Sequence, residues 1–134
     1  LEAGTTASEF EFLPVDVNMQ RCQRYYYVQA EGSQSAYSKI ELATAYTTTT
    51  AYAIINFKQN MRAAPSLDIV AGTSFYRFRS AGTNYTNTDT PTINVSTTIN
   101  CRIVLNTTSL TAGYSGWMGI NNQATGFVAF DAEL

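Results

Sequence analysis

The sequence predicts an all-β protein, an antiparallel β-sandwich, jelly-roll-like, of about 8–10 strands. Three observations predict it. Tyr, Phe, Val, Ile and Thr are abundant and fall in short runs, and these side chains suit a pleated, half-buried surface. Apolar and polar residues alternate with period two in the clearest runs, as a sheet with one packed and one open face requires. No segment carries a sustained apolar stripe at i, i+3, i+4 spacing, and clusters of Gly, Asn, Ser and Thr interrupt the runs every 8–12 residues or so.

Taken in chain order, residues 1–9 read as a linker from an upstream domain, and residues 10–134 as a single β-sandwich domain. On residue types alone, Leu1-Glu2 is either a cloning scar or a native junction. Strands are expected over residues 10–17, 22–29, 37–44, 51–61 and 66–71. In the fourth, Ala51, Ala53, Ile55 and Phe57 share one face, and Tyr52, Ile54, Asn56 and Lys58 the other. Pro65 has no N–H to give a ladder and is expected to stop the strand ending at Met61-Arg62. Further strands are expected over residues 74–80, 92–96, 100–106, 116–120 and 125–133. The first of these should bury Tyr76 and Phe78 and turn Phe75, Arg77 and Arg79 outward. In the third, Cys101, Ile103 and Leu105 alternate with Arg102, Val104 and Asn106. Residues 81–91 read as the longest polar loop, with Tyr85 in its middle, and loops of that length often carry function. Cys22 and Cys101 both fall in expected strands. They read as two buried thiols, with a disulfide open if their Cα atoms lie within about 7 Å.

Composition excludes several chemistries. The chain has 134 residues, no histidine, 13% charged residues and a net charge of −2. Without histidine there is no Ser-His-Asp or Cys-His catalysis and no His-ligated metal. Globular domains usually carry about 25% charged residues. Here 19 Thr, 10 Ser and 10 Asn make the surface polar by hydroxyl and amide instead. The acidic balance argues against a nucleic-acid partner, which wants a basic face. No run of about 18 apolar residues exists to insert in a membrane. A glycosidase needs two carboxylates about 5–9 Å apart. Glu9 and Glu11 sit by the linker, and Asp68, Asp89, Asp131 and Glu133 are scattered. We therefore expect no catalytic residues, no metal and no cofactor.

Three motifs carry a resemblance. They are Cys22-Gln23-Arg24-Tyr25-Tyr26, Met61-Arg62-Ala63-Ala64-Pro65-Ser66, and the ending Phe130-Asp131-Ala132-Glu133-Leu134. In this order the set resembles the C-terminal β-sandwich domain of tail fibre and tail spike receptor-binding proteins of tailed bacteriophages. The opening Leu1-Glu2-Ala3-Gly4 also resembles that family's lead-in, which favours a native junction. The resemblance implies a homotrimer on the virion's tail appendage, assembled in the bacterial host cytoplasm. It implies host-surface attachment by weak, multivalent binding of a bacterial cell-surface glycan. The alternative is a purely structural trimerisation or capping domain, with recognition elsewhere.

Residues of the shared motifs should hold the fold or the subunit interface, because receptors differ between phages. Arg24, Tyr25, Tyr26, Met61, Arg62 and Pro65 are read in that way. Ligand contacts are expected instead from aromatic rings flanked by amides and carboxylates, since sugars stack on rings and hydrogen-bond to those groups. The candidates are Tyr85 with Asn84, Asn87 and Asp89, and Trp117 with Asn121 and Asn122. A single Trp between two glycines in a strand is more often a core or interface residue than a sugar platform.

Overall fold

The computed structural model describes residues 13–33, 35 and 37–133, so the expected linker and the first part of the first expected strand lie outside it. The chain then departs from expectation. Residues Val15–Gln23 form helix α1 where strands were expected over residues 10–17 and from residue 22. Pro14, with φ at −51°, leads into the first turn, and its carbonyl accepts from Asn18 N–H at 3.1 Å. Asp16 in the first turn and Arg21 in the last both complement the helix dipole. No helix residue is buried, and Val15 and Met19 are 79% and 57% exposed, so no core contact marks the segment as helical. Cys22 lies on this helix and is exposed, which corrects the reading of two buried thiols; Cys101 is buried, and both are free.

Among the described residues ten strands follow: β1 Tyr26–Glu31, β2 Lys39–Ala45, β3 Thr50–Asn56, β4 Ser66–Ile69, β5 Tyr76–Ser80, β6 Thr83–Thr86, β7 Thr92–Ser96, β8 Asn100–Asn106, β9 Ser115–Ile120 and β10 Phe127–Asp131. They form a three-stranded sheet, β1-β10-β4, and a seven-stranded sheet, β6-β5-β9-β2-β3-β8-β7. Every pair is antiparallel. Early strands pair with late ones in nested order, β1 with β10, β2 with β9 and β3 with β8. The chain thus folds back on itself as a jelly roll does. The expected all-β antiparallel sandwich is what the chain forms.

The core lies between the sheets. Ala51, Ala53 and Ile55 of β3 and Cys101, Ile103 and Leu105 of β8 are buried, as their alternation predicts. Tyr76, Phe78, Met118 and Phe130 complete it with no exposed surface. Burying a side chain of this size contributes roughly 1.5–3 kcal/mol each. The Tyr76 hydroxyl is shared between the carbonyls of Val70 and Phe127, 3.0 Å from each, which satisfies its polar end.

Three further expectations need correction. Strand β3 ends at Asn56, not near Met61, and Pro65 is buried just before β4 rather than ending a strand. β4 is an edge strand, where a proline is tolerated. Residues 81–91 are not one long loop. Ser80 pairs with Thr83, and Ala81 and Gly82, at φ 48° and 81°, make a two-residue hairpin turn into β6. Alanine is an unusual first residue for that turn, which hid it. Finally, Arg77 is on the outward face of β5 yet only 5% exposed, because aromatic rings cover it.

Candidate functional site

The outward face of the seven-stranded sheet carries the notable chemistry. Register lines up one residue from each strand. Asn84 of β6 pairs with Arg79 of β5, which pairs with Trp117 of β9, which pairs with Leu42 of β2. Across the sheet, Ile54 of β3 pairs with Arg102 of β8, which pairs with Val95 of β7. Leu42 and Ile54 line one depression of about 610 Å³ and join the two halves of the row. The face is therefore divided. The β6-β5-β9 side bears amides, guanidiniums and an indole. The other side bears Leu42, Ile54 and Val95, which are 75%, 59% and 46% exposed, with Arg102 between the last two.

On the polar side, Tyr37, Arg77, Arg79, Asn84 and Asn121 line a depression of about 370 Å³. Its floor is built from the strand pattern. Arg77 pairs with Gly119, and Gly119 pairs with Lys39 on its other side. With no side chain at Gly119, the Trp117 ring folds over that position. A methyl there would stand 2.6 Å from Trp117 Cζ3 and 2.7 Å from the Ser38 carbonyl. The Arg77 guanidinium carbon lies 4.8 Å from the centre of the Trp117 ring and 4.5 Å from that of Tyr37. Lys39 Nζ approaches the Trp117 ring to 5.4 Å. Both rings offer their electron-rich faces to cations. Burial, and then the like charge of Arg79, hold the Arg77 guanidinium below its ordinary pKa, while Tyr37 opposes them. Arg77 Nε is buried without a hydrogen-bond partner.

The expected ligand residues divide. Asn84 and Asn121 line this depression, and Trp117 backs it through Arg77. Asn121 Nδ2 also donates to the Ser74 carbonyl at 2.8 Å, which fixes its position. Asn122 is exposed with φ at 52°, a turn conformation. Tyr85 is on strand β6 rather than in a loop, half-buried, with its ring 6.3 Å from Phe78. Asn87 is 2% exposed and fully engaged: Oδ1 accepts from Tyr76 N–H at 2.8 Å, and Nδ2 donates to the carbonyls of Gly72 and Asp89 at 2.7 and 2.6 Å. Asn87 has no polar atom left for a ligand. Asp89 accepts from Asn106 Nδ2 at 3.1 Å. Sequence reasoning missed Tyr37, Arg77 and Arg79. The two outward guanidiniums of Arg77 and Arg79, two residues apart on one strand face, were the available signal.

The motif residues meet elsewhere, at one end of the small sheet. Arg62 N–H donates to the Arg24 carbonyl at 2.7 Å, and the Arg62 guanidinium carbon stands 5.5 Å from the Tyr25 ring. Ala132 N–H donates to the Tyr25 carbonyl at 2.7 Å, and Tyr26 pairs with Asp131. The Tyr26 hydroxyl donates to Asp68 Oδ2 at 2.9 Å. Met61 is buried, and its N–H donates to the Thr98 carbonyl at 2.7 Å. Ser96 Oγ donates to the Pro65 carbonyl at 2.8 Å, tying the two sheets together.

Among the described residues, no group of three His, Cys, Asp or Glu side chains is placed to hold a metal ion. Among the described residues, no helix is long and apolar enough to cross a membrane. Compared with protein-family models, with curated proteins and with solved structures, the chain gives no match.

Proposed function

We propose that this chain is a homotrimeric, non-enzymatic domain of a tailed-bacteriophage appendage that attaches the virion to its host by weak, multivalent glycan binding. The observation that carries the reading is the depression beneath Tyr37. It joins an exposed aromatic ring, two amides and two guanidiniums, at strands β5 and β6 and the turns beside them, the groups that stack on a sugar ring and hydrogen-bond its hydroxyls. Because Arg79 and Asn84 project from paired strands, their spacing is fixed before a ligand arrives. The three motifs that carry the resemblance cluster at the far sheet, where they hold chain segments together and leave this face free to vary.

One open depression of this kind binds a saccharide at about millimolar Kd, or roughly −4 kcal/mol. Three copies on one tip raise the effective concentration and turn weak sites into firm attachment. A glycan array probed with the trimer tests this, alongside adsorption to host cells with and without their surface glycans. Array binding by the trimer, together with loss of adsorption to stripped cells, is the expected result. An array without hits beside undiminished adsorption to stripped cells contradicts it.

A second reading is favoured by the apolar half of the same face. Leu42 and Ile54 are exposed apolar neighbours, with Val95 beyond Arg102 in the same register, and exposed apolar side chains suit a subunit contact. In that reading the domain only trimerises or caps a fibre. Its removal then abolishes assembly and leaves recognition to another domain.

A further inference from the structure

Eight Lys and Arg residues serve the whole chain, whose net charge is −2. Three of them, Lys39, Arg77 and Arg79, gather around Trp117 and the depression beside it. Among the described residues, the charged group that acts most on Arg77 is another cation, Arg79. A buried, unpaired charge is costly, and a partner that pairs with it recovers much of that cost. The rings of Tyr37 and Trp117 stabilise Arg77 over its faces, but they satisfy none of its N–H groups. Those donors lie in the guanidinium plane, where oxygen anions are recognised. Arg77 Nε is sealed without a partner, and what stays accessible of Arg77 opens into the depression. Arg79 and the amides of Asn84 and Asn121 stand at the same opening.

We propose that this depression is an anion subsite, and that the saccharide it takes is acidic, with carboxylate or phosphate oxygens seated between Arg77 and Arg79 and the sugar ring against Tyr37. The proposal rests on the glycan-binding reading above and names its substrate class.

The chain holds a single tryptophan, so the intrinsic fluorescence of Trp117 reports the site directly. The full chain is titrated with an oligogalacturonate, with the same oligosaccharide methyl-esterified to neutrality, with a phosphate-substituted oligosaccharide, and with inorganic phosphate. Saturable binding of an acidic form at least about tenfold tighter than the neutral ester is expected, weakening as salt rises. Uronate or phosphate sugar binding alone assigns the source of the anion. Arg79→Gln, at an exposed position, should cost about tenfold for the acidic sugar while leaving the unfolding midpoint in place. Arg77→Lys retains charge but loses the planar fork, and should weaken binding less than Arg79→Gln combined with it. Equal binding of ester and acid, or no effect of Arg79→Gln, overturns the anion subsite and leaves glycan binding standing. Inorganic phosphate as tight as any sugar overturns the saccharide. Failure of every saccharide, with adsorption to stripped cells intact, removes the glycan reading itself.

Discussion

Arg62 stacks over the ring of Tyr25, its guanidinium carbon 5.5 Å from the ring centre, while its backbone N–H reaches the Arg24 carbonyl at 2.7 Å. The contact ties two segments that lie far apart in sequence. Tyr25 is 40% exposed, so the stacking is solvated and worth about 0.5–1 kcal/mol. A double-mutant cycle with Tyr25→Ala and Arg62→Ala should return a coupling of that size in denaturant unfolding. Coupling indistinguishable from zero assigns the junction to its backbone bonds alone.

Asn87 is a structural residue. Its side chain makes three buried hydrogen bonds, and removing it strands the Tyr76 N–H and two carbonyls. Asn87→Ala should lower unfolding free energy by about 2–4 kcal/mol, because each buried unsatisfied group costs roughly 1–3 kcal/mol. Thermal and urea unfolding check the size. A loss below about 0.5 kcal/mol is incompatible with these bonds.

Gly119 makes room for the indole. A Cβ there meets both the Trp117 ring and the fixed Ser38 carbonyl. Gly119→Ala should therefore displace the ring from Arg77, and the fluorescence of the sole tryptophan should shift to longer wavelength. Saccharide response should fall with it. An unchanged spectrum places the ring elsewhere.

Stability should respond to alkali and not to neutral pH. The chain has no histidine, so it should hold steady between about pH 6 and 8. Burial pushes the Tyr76 hydroxyl from its ordinary 10.0 up to about 12, and the Cys101 thiol from 9.0 up to about 12. Both groups are neutral when protonated, and the unfolded chain releases those protons first. Their contribution is whole below about pH 9 and is lost as pH climbs toward 12. For Tyr76 alone the rise corresponds to roughly 3 kcal/mol. Tyr76→Phe should flatten the fall between pH 10 and 12 in unfolding curves.

Strand periodicity was legible wherever one face is buried. Ala51 to Ile55 and Cys101 to Leu105 alternate in sequence and in the core alike, because period two leaves no other way to bury them. Helix α1 was not legible, since a segment with no buried residue imposes no pattern. The β5-β6 hairpin was hidden by Ala81 at a position that favours Asn, Asp or Gly. The candidate site was half legible. Asn84, Trp117 and Asn121 were reachable as aromatic and amide residues near turns. Arg77 was legible as an outward guanidinium, but its stacking on Tyr37 and Trp117 was not, because that depends on the pairing of β5 with β9 and β9 with β2, which no local window contains.

Multivalent attachment requires more than one copy. Leu42 and Ile54 offer the apolar surface that a sister subunit would cover. Light scattering at micromolar chain concentration measures this without any ligand. Three times the chain mass is expected, falling to one on Leu42→Glu with Ile54→Glu. A stable species of single-chain mass for the unmodified protein contradicts the trimeric attachment domain.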